Sequence, residues 1–211
     1  MDTNQYETVA LIVAHPDDET LWAGGTLLNH KDWNVFIVSL CRAGDTNRSA
    51  KFQDALKIIG ARGTMGDLDD SPMQQALEAD QVEHAIVNLL PVMQYDLIIT
   101  HHPRGEYTRH LRHEETAKAV ITLWNQGNIT ASELWCFAYE DGGREYYPKA
   151  VETAEIVIHL ETSIWERKYK LITETYGFDE NTWEAHTTPT TESFWRFSDP
   201  EDALHWLESL S

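Results

Sequence analysis

The sequence contains few basic residues and few cysteines. Lys and Arg together number 16 against 35 Asp and Glu in 211 residues, so the formal net charge at pH 7 is −19. This charge would repel a phosphate backbone, and we therefore expect no nucleic-acid partner. Because Cys41 and Cys136 are the only cysteines, a disulfide framework does not organise the fold, and a reducing cytoplasm is the simplest setting.

Long hydrophobic runs and two common catalytic loops are also missing. No stretch approaches the roughly 18 consecutive apolar residues that a membrane span requires, and residues 1–8 are polar, unlike a signal peptide. The sequence also lacks a Gly-x-Ser-x-Gly elbow, and its first strand-to-helix turn lacks a Gly-x-Gly-x-x-Gly loop. We therefore expect no membrane span, no serine nucleophile and no dinucleotide site.

Apolar strands alternate with amphipathic helices along most of the chain. The segments 9–13, 35–40 and 95–100 are almost wholly apolar, which is typical of parallel strands that helices cover on both faces. The pattern predicts a single α/β domain over residues 1–211, with a Rossmann-like, open, mostly parallel sheet and helices on both faces. The part at about 178–211 gives weak signals and contains three of the eight tryptophans, so we expect an irregular segment packed on this domain, apart from a short helix at residues 201–210.

One short stretch, residues 14–19 (Ala-His-Pro-Asp-Asp-Glu), concentrates ligand-grade side chains directly after the first predicted strand. His15 and Asp18 are three residues apart, so a turn can aim both at one point, while Asp17 leaves the backbone in a different direction. An alternative is that the acids merely cap the next helix by complementing its dipole. A second His-rich stretch, beyond the fourth predicted strand, favours a metal site over this alternative.

Four histidines in the second stretch compete to be the third metal ligand: His101, His102, His110 and His113. His110 and His113 are three residues apart and can face one centre, whereas the adjacent pair diverges, so we favour His113 at the start of the next helix. In open α/β sheets, sites form beyond the carboxyl ends of the strands, where the chain order reverses. Both stretches are therefore expected to meet in one site.

These residue types suit metal-assisted hydrolysis. A hydrolytic zinc site needs three N or O ligands and one open position for water, and we predict His15, Asp18 and His113 as the ligands. Asp17 would take the proton of a metal-activated water that attacks a carbonyl carbon. His110, outside the coordination shell, would stabilise the oxyanion or donate to the leaving nitrogen.

The stretch 14–19, followed by Gly24-Gly25, resembles the hallmark of the N-acetylglucosaminyl-phosphatidylinositol de-N-acetylase family, also called PIG-L or LmbE-like. The similarity covers roughly residues 7–176 and includes further motifs: Arg48 to Gly60, Gly105-Glu106-Tyr107, His110-x-x-His113, Tyr139-Glu140, Pro148 and Lys168. The resemblance implies an LmbE-like fold and a zinc-dependent enzyme that deacetylates N-acetylglucosamine units. It implies the same ligands, base and histidine partner, and it adds Arg48 and Asp69 as substrate-binding residues. The alternatives for these two are a solvated arginine at a helix start and an acid on a surface loop, and the second is favoured for Asp69.

The second motif departs from the family's usual His-Pro-Asp-His, because Leu111-Arg112 replace its middle pair. A positive charge on Arg112 close to His110 would lower the pKa of that imidazole. His110 would then act as a neutral hydrogen-bond donor rather than as an acid.

The sequence thus predicts a cytoplasmic, metal-dependent hydrolase that removes an acetyl or other acyl group from the amide nitrogen of an N-acetylated amino sugar or its conjugate. Zn²⁺ is the expected cofactor, although an N/O ligand set also accepts other divalent ions. Two alternatives stay open: a metal hydrolase acting on another small amide or ester, and a non-catalytic, metal-stabilised binding module. A homo-oligomer is compatible with the sequence, which does not specify the oligomeric state.

Overall fold

The computed structural model describes residues 6–107 and 110–210. Residues 1–5, 108–109 and 211, which include both ends of the predicted 1–211 domain, lie outside the described residues. The strands are β1 (Thr8–Val13), β2 (Asn34–Cys41), β3 (Arg62–Leu68), β4 (Gln94–Thr100), β5 (Thr130–Phe137), β6 (Tyr139–Glu140), β7 (Lys149–Ala150), β8 (Ile156–His159) and β9 (Thr191–Phe197). The α-helices are α1 (Asp18–Asn29), α2 (Thr46–Ile59), α3 (Ala79–Leu89), α4 (Leu111–Asn125), α5 (Thr162–Lys170), α6 (Trp183–Thr187) and α7 (Pro200–Ser209).

Seven of the described strands form one open sheet in the order β3-β2-β1-β4-β5-β9-β8. The pairs from β3 to β5 are all parallel, and only β9 runs antiparallel to its two neighbours. Strands β6 and β7 form a separate antiparallel pair. The predicted open, mostly parallel α/β sheet is therefore confirmed.

Helices cover both faces of this sheet, as the fully apolar strands predict. Along β1, Val9 and Leu11 pack with α1 and α2 on one face, while Ala10 and Ile12 pack with α3, α4 and α7 on the other. Burial on both sides explains why the strand shows no polar alternation. None of the described helices combines the length and apolar character that crossing a bilayer demands.

The order of the strands reverses between β1 and β4. The chain moves outward from β1 through β2 to β3, then returns to place β4 on the free side of β1, with Ile12 paired to Thr100. The segments that follow β1 and β4 therefore emerge side by side at the carboxyl edge of the sheet. This arrangement confirms the predicted meeting point of the two His-containing stretches.

The expectation of an irregular segment at about 178–211 is wrong for much of its length. Strand β9 lies inside the sheet between β5 and β8, whereas α7 corresponds to the expected short helix at residues 201–210. The sequence of β9 conceals this position because it includes a wholly buried glutamate, Glu192, whose charge is matched by the equally buried Lys168 at 2.7 Å. Since β9 joins strands from distant parts of the chain, we infer that the described residues form one domain.

Candidate active site

The loop between β1 and α1 holds a strained residue. Asp17 has φ 129° and ψ −26°, a backbone conformation that residues other than glycine rarely adopt. This conformation costs about 1–3 kcal/mol. Its amide donates to the Glu19 carboxylate at 3.0 Å, and its carbonyl accepts from the amides of Thr20 and Leu21. The first turn of α1 therefore holds the loop in place, with Asp17 and Asp18 pointing in different directions.

The three predicted metal ligands come together. The distance from His15 Nδ1 to Asp18 Oδ2 is 3.1 Å, from His15 Nδ1 to His113 Nε2 3.2 Å, and from His113 Nε2 to Asp18 Oδ2 3.3 Å. Tetrahedral zinc with ligand bonds of 2.0–2.1 Å separates its ligand atoms by about 3.3 Å. The donor set and its spacing therefore fit a tetrahedral divalent ion with one position left open.

Electrostatics at this point favour a positive charge. Burial alone would raise the pKa of Asp18, but the imidazoles of His113 and His101 hold it well below its usual range. The second oxygen of Asp18, Oδ1, accepts a hydrogen bond from the indole nitrogen of Trp22 at 3.3 Å. Asp18 is therefore an oriented anion in a buried place, and a cation is its natural counter-charge.

Glu106 contacts the imidazoles of His101 and His113 on the side away from the other donor atoms. The sequence motif Gly105-Glu106-Tyr107 contains this residue but predicts no role for it. Its Oε2 lies 2.6 Å from His113 Nδ1 and 3.0 Å from His101 Nδ1, and its Oε1 accepts from the amide of His102 at 2.8 Å. A carboxylate at Nδ1 keeps the proton there, so His113 Nε2 presents a lone pair to the ligand cluster. The sequence offered no signal for this contact beyond the presence of an acid near the histidines.

Other donor combinations are also close. His15, His110 and His113 form one group of donor atoms that lie within 4.8 Å of one another, and Asp18, His101 and His113 form a second. His101 is less available as a ligand because its Nε2 already accepts the Ala14 amide at 2.9 Å. This hydrogen bond ties the ends of β1 and β4 together.

Asp17 lies beside the donor cluster and outside it. Its Oδ2 accepts from Arg48 at 3.1 Å, and the Arg48 guanidinium also lies 4.8 Å from the centre of the Phe178 ring. Burial, together with the charge of Asp18, raises the pKa of Asp17 well above its usual range, although Arg48 opposes this. Both residues line a cavity of about 190 Å³ that also exposes His15 and Asp18.

His110 lines the same cavity and is neutral at pH 7. Its ring centroid lies 4.3 Å from that of His113 and 4.5 Å from that of His15, and its Nδ1 is buried without a partner among the described residues. Burial and the two imidazoles lower its pKa to about 3. The expected lowering is found, but its predicted cause is wrong: Arg112 turns away and donates to the carbonyls of Asp69 and Gln75.

Asp69 does not join the cluster. Its exposed side chain accepts from the Ser71 amide, whereas the next residue, Asp70, lies 3.1 Å from His15 Nε2 through its Oδ1. Arg42 donates to Asp70 Oδ2 at 2.7 Å, and this pairing helps to keep the pKa of Asp70 low. The exposure of Asp69 therefore agrees with the surface-loop alternative, and Asp70 is the acid that lies at the cluster.

Solved structures of other proteins share this fold. The chain overlays on N,N'-diacetylchitobiose deacetylase from Pyrococcus horikoshii with a TM-score of 0.67 and 15% identity, covering 96% of this chain and 86% of that chain. The zinc-inhibited form of teicoplanin deacetylase Orf2 gives 0.60 and 16%, with coverage of 90% and 97%. GalB, the 4-carboxy-2-hydroxymuconate hydratase from Pseudomonas putida KT2440, gives 0.60 and 16%, with coverage of 90% and 95%. The open sheet and its helices define the fold of the LmbE-like deacetylases.

Sequence comparison adds the family. The family model described as PIG-L, GlcNAc-PI de-N-acetylase, matches residues 10–124, more than half of the chain. The matched region contains the loop after β1 as well as Glu106 and His113. The chain belongs to the PIG-L family.

Proposed function

We propose that this protein is a metal-dependent hydrolase that removes an acetyl group from the amide nitrogen of an N-acetylated amino sugar or its conjugate. The observation that carries the proposal is the mutual spacing of 3.1–3.3 Å between the donor atoms of His15, Asp18 and His113, next to a carboxylate, Asp17, that is not among them. The family and the deacetylase names of two structural neighbours support the same reaction.

In this proposal His15, Asp18 and His113 would hold the metal, which would supply Lewis acidity and lower the pKa of water. Asp17 accepts a proton from the water that attacks the acetyl carbon, and it returns this proton to the sugar nitrogen as the C–N bond breaks. The products are acetate and a free amine. His110, neutral because its pKa is about 3, donates a hydrogen bond to the developing oxyanion.

Arg48 has two tasks in the proposal. Its guanidinium holds Asp17 Oδ2 at 3.1 Å and lines the cavity in which the substrate would lie. It therefore orients the base and offers its remaining N–H groups to sugar hydroxyls. Asp70 and Arg42 line the same cavity. We propose that these two residues, rather than Asp69, bind sugar hydroxyls beside Arg48.

Zn²⁺ is the proposed metal, with another divalent ion as the alternative that the N/O donors also accept.

Replacing Glu106 with Gln should weaken Zn²⁺ affinity about 10-fold to 100-fold, because one amide oxygen cannot accept all three hydrogen bonds that the carboxylate accepts. Calorimetric titration of the metal-free protein measures this change. The exposed Glu180→Gln is the matched control, and equal affinities in the two variants would contradict the role given to Glu106.

The function is tested by product analysis on the full chain. Incubation of the Zn²⁺-loaded protein with N-acetylglucosamine and its glycosides should release acetate and primary amine in equal amounts. Removing the metal with a chelator should stop the release, and adding Zn²⁺ back should restore it. If the protein binds Zn²⁺ yet releases acetate from none of these amides, deacetylation of amino sugars is ruled out.

The same assay separates the alternatives. A panel of O-acetyl esters and simple N-acyl amines identifies a hydrolase of another small amide or ester. This is a second candidate because the fold, which GalB, a hydratase, shares, hosts more than one reaction. A non-catalytic module would lose folding stability on metal removal without any reaction being lost. Asp17 would have no task in such a module.

A cytoplasmic location stays a prediction from the sequence.

A further inference from the structure

The cavity that holds the candidate metal ligands adjoins a larger one. The smaller cavity, of about 190 Å³, exposes His15 and Asp17, and the second cavity, of about 630 Å³, reaches from there towards Tyr147. Tyr107 and Trp183 belong to the walls of both, with ring centroids 4.6 Å apart. The two cavities are therefore neighbours that share this aromatic pair as part of their walls.

The sizes of the two cavities suit different parts of one substrate. Binding pockets for small molecules measure about 300–1,000 Å³, so the smaller cavity is too small for a complete ligand, whereas the larger one is within the range. An N-acetyl group and the adjacent carbons of its sugar ring would fit the smaller cavity. The remainder of the molecule would then extend past Tyr107 and Trp183 into the larger one.

The wall of the larger cavity is aromatic. Trp183 is half-buried, and its ring is held by Tyr107 and by Trp22, whose centroid lies 6.3 Å away. Tyr147 is 48% exposed, and its ring lies 5.5 Å from that of His186 at an angle of 31°. Aromatic faces carry negative charge density that attracts the polarised C–H groups on the flat face of a sugar ring.

The charges on the wall disfavour an anion. Among the described residues, three carboxylates (Asp141, Glu145 and Glu184) line the larger cavity together with one guanidinium, Arg144. The chain as a whole carries a formal charge of −19, which strengthens the repulsion of an approaching anion. A phosphate-bearing group at this position would be rejected, whereas a neutral sugar would not.

We propose that the 630 Å³ cavity is a binding site for a second, neutral sugar ring, so that the preferred substrate is an N-acetylated disaccharide or longer glycan rather than a monosaccharide or a phosphate-linked conjugate. The proposal rests on the deacetylase function proposed above. Tyr147 and Trp183 are the residues that select this substrate by packing against the second ring.

The test compares three substrates: N-acetylglucosamine, N,N'-diacetylchitobiose and N-acetylglucosamine 1-phosphate. The wild-type protein should show a kcat/KM about tenfold higher for the disaccharide than for the monosaccharide, and the lowest value for the phosphate. Tyr147→Ala should lower kcat/KM for the disaccharide about threefold to tenfold through KM, and it should leave the monosaccharide rate unchanged. Tyr169→Ala is the matched control, since Tyr169 packs on Trp165 of α5 and lines neither cavity.

A second variant tests the charge argument. Glu145 is exposed at the rim of the larger cavity, so Glu145→Lys should raise kcat/KM for the 1-phosphate without changing the monosaccharide rate. An unchanged rate with the phosphate would contradict the electrostatic part of the proposal.

The results distinguish this proposal from the function on which it rests. Equal kcat/KM for monosaccharide and disaccharide, or equal losses in Tyr147→Ala and Tyr169→Ala, would overturn the second sugar site while leaving deacetylation intact. Calorimetric binding of chitobiose, the fully deacetylated disaccharide, provides a measurement that does not depend on turnover. If Tyr147→Ala binds chitobiose as tightly as the wild type does, the proposed site is wrong.

Discussion

Replacing Asp17 with Asn should lower the rate of amide hydrolysis about 10²-fold to 10⁴-fold, the usual contribution of a positioned general base. An amide at this position still accepts the Arg48 hydrogen bond, which measures 3.1 Å in the native protein, but it cannot take a proton from water. Zn²⁺ content should be unchanged, because Asp17 is not one of the donors that lie within 3.1–3.3 Å of each other.

The Asp17→Asn variant is also expected to fold. Burial and the neighbouring carboxylates of Asp18 and Glu19 raise the pKa of Asp17, which means that the native state opposes its charge, and the substitution removes that charge. Asp69→Asn is the matched control, since the Asp69 side chain points to solvent, and its rate should stay within about twofold of wild type. A fully active Asp17→Asn protein would remove Asp17 from the mechanism.

Replacing Lys168 with Met should destabilise the protein by about 3–5 kcal/mol, because it leaves the Glu192 carboxylate buried without its cation. Both side chains are wholly inaccessible to solvent and lie 2.7 Å apart. Glu192 also accepts from the amides of Gly25 and Thr26 at 2.8 and 2.7 Å, so the pair joins α5, β9 and α1. Urea unfolding measures the loss.

Two comparisons make the Lys168→Met experiment specific. The double variant Lys168→Met with Glu192→Gln removes both charges and should recover part of the lost stability, because one amide oxygen of Gln can no longer accept from both Gly25 and Thr26. Lys57→Met breaks a pair with Asp54 whose side chains are 74% and 60% exposed, and it should have little effect. A loss for Lys168→Met no larger than that for Lys57→Met would show that the buried pair contributes nothing beyond packing.

Gly24 and Gly25, which follow the stretch 14–19, are explained by the packing around Lys168. A Cβ on Gly25 would lie 2.4 Å from the Leu160 side chain, and one on Gly24 would lie 3.3 Å from Lys168 Cγ. The two glycines therefore let α1 approach the segment before α5 and the buried lysine closely. Their role is to position the helix, and they do not contact the donor atoms of the candidate site.

The sequence predicted those parts of the site that depend on strand order. Apolar runs at β1 and β4 indicated a parallel sheet, and the sheet geometry then placed His15 near His113. The sequence could not predict which of Asp69 and Asp70 faces the site. The chain leaves β3 irregularly, with a register shift against β2 between Ser39 and Cys41.

Two other features depend on contacts between distant segments. Glu106 matters because it reaches two imidazoles at once, and β9 is a strand despite its glutamate because Lys168 neutralises that charge. The local sequence pattern predicts neither the contacts of Glu106 nor the pairing of Lys168 with Glu192. Likewise, Arg112 was expected to influence His110, but the backbone carbonyls that Arg112 binds come from the segment around residues 69–75.

The position of β9 also links the candidate site to a distant part of the sequence. The helix that follows the β1 loop is anchored by Glu192, more than 160 residues further along the chain. Domains generally fold as units. A variant truncated before residue 191 therefore lacks the anchor for α1, and it should bind the metal more weakly than the untruncated protein.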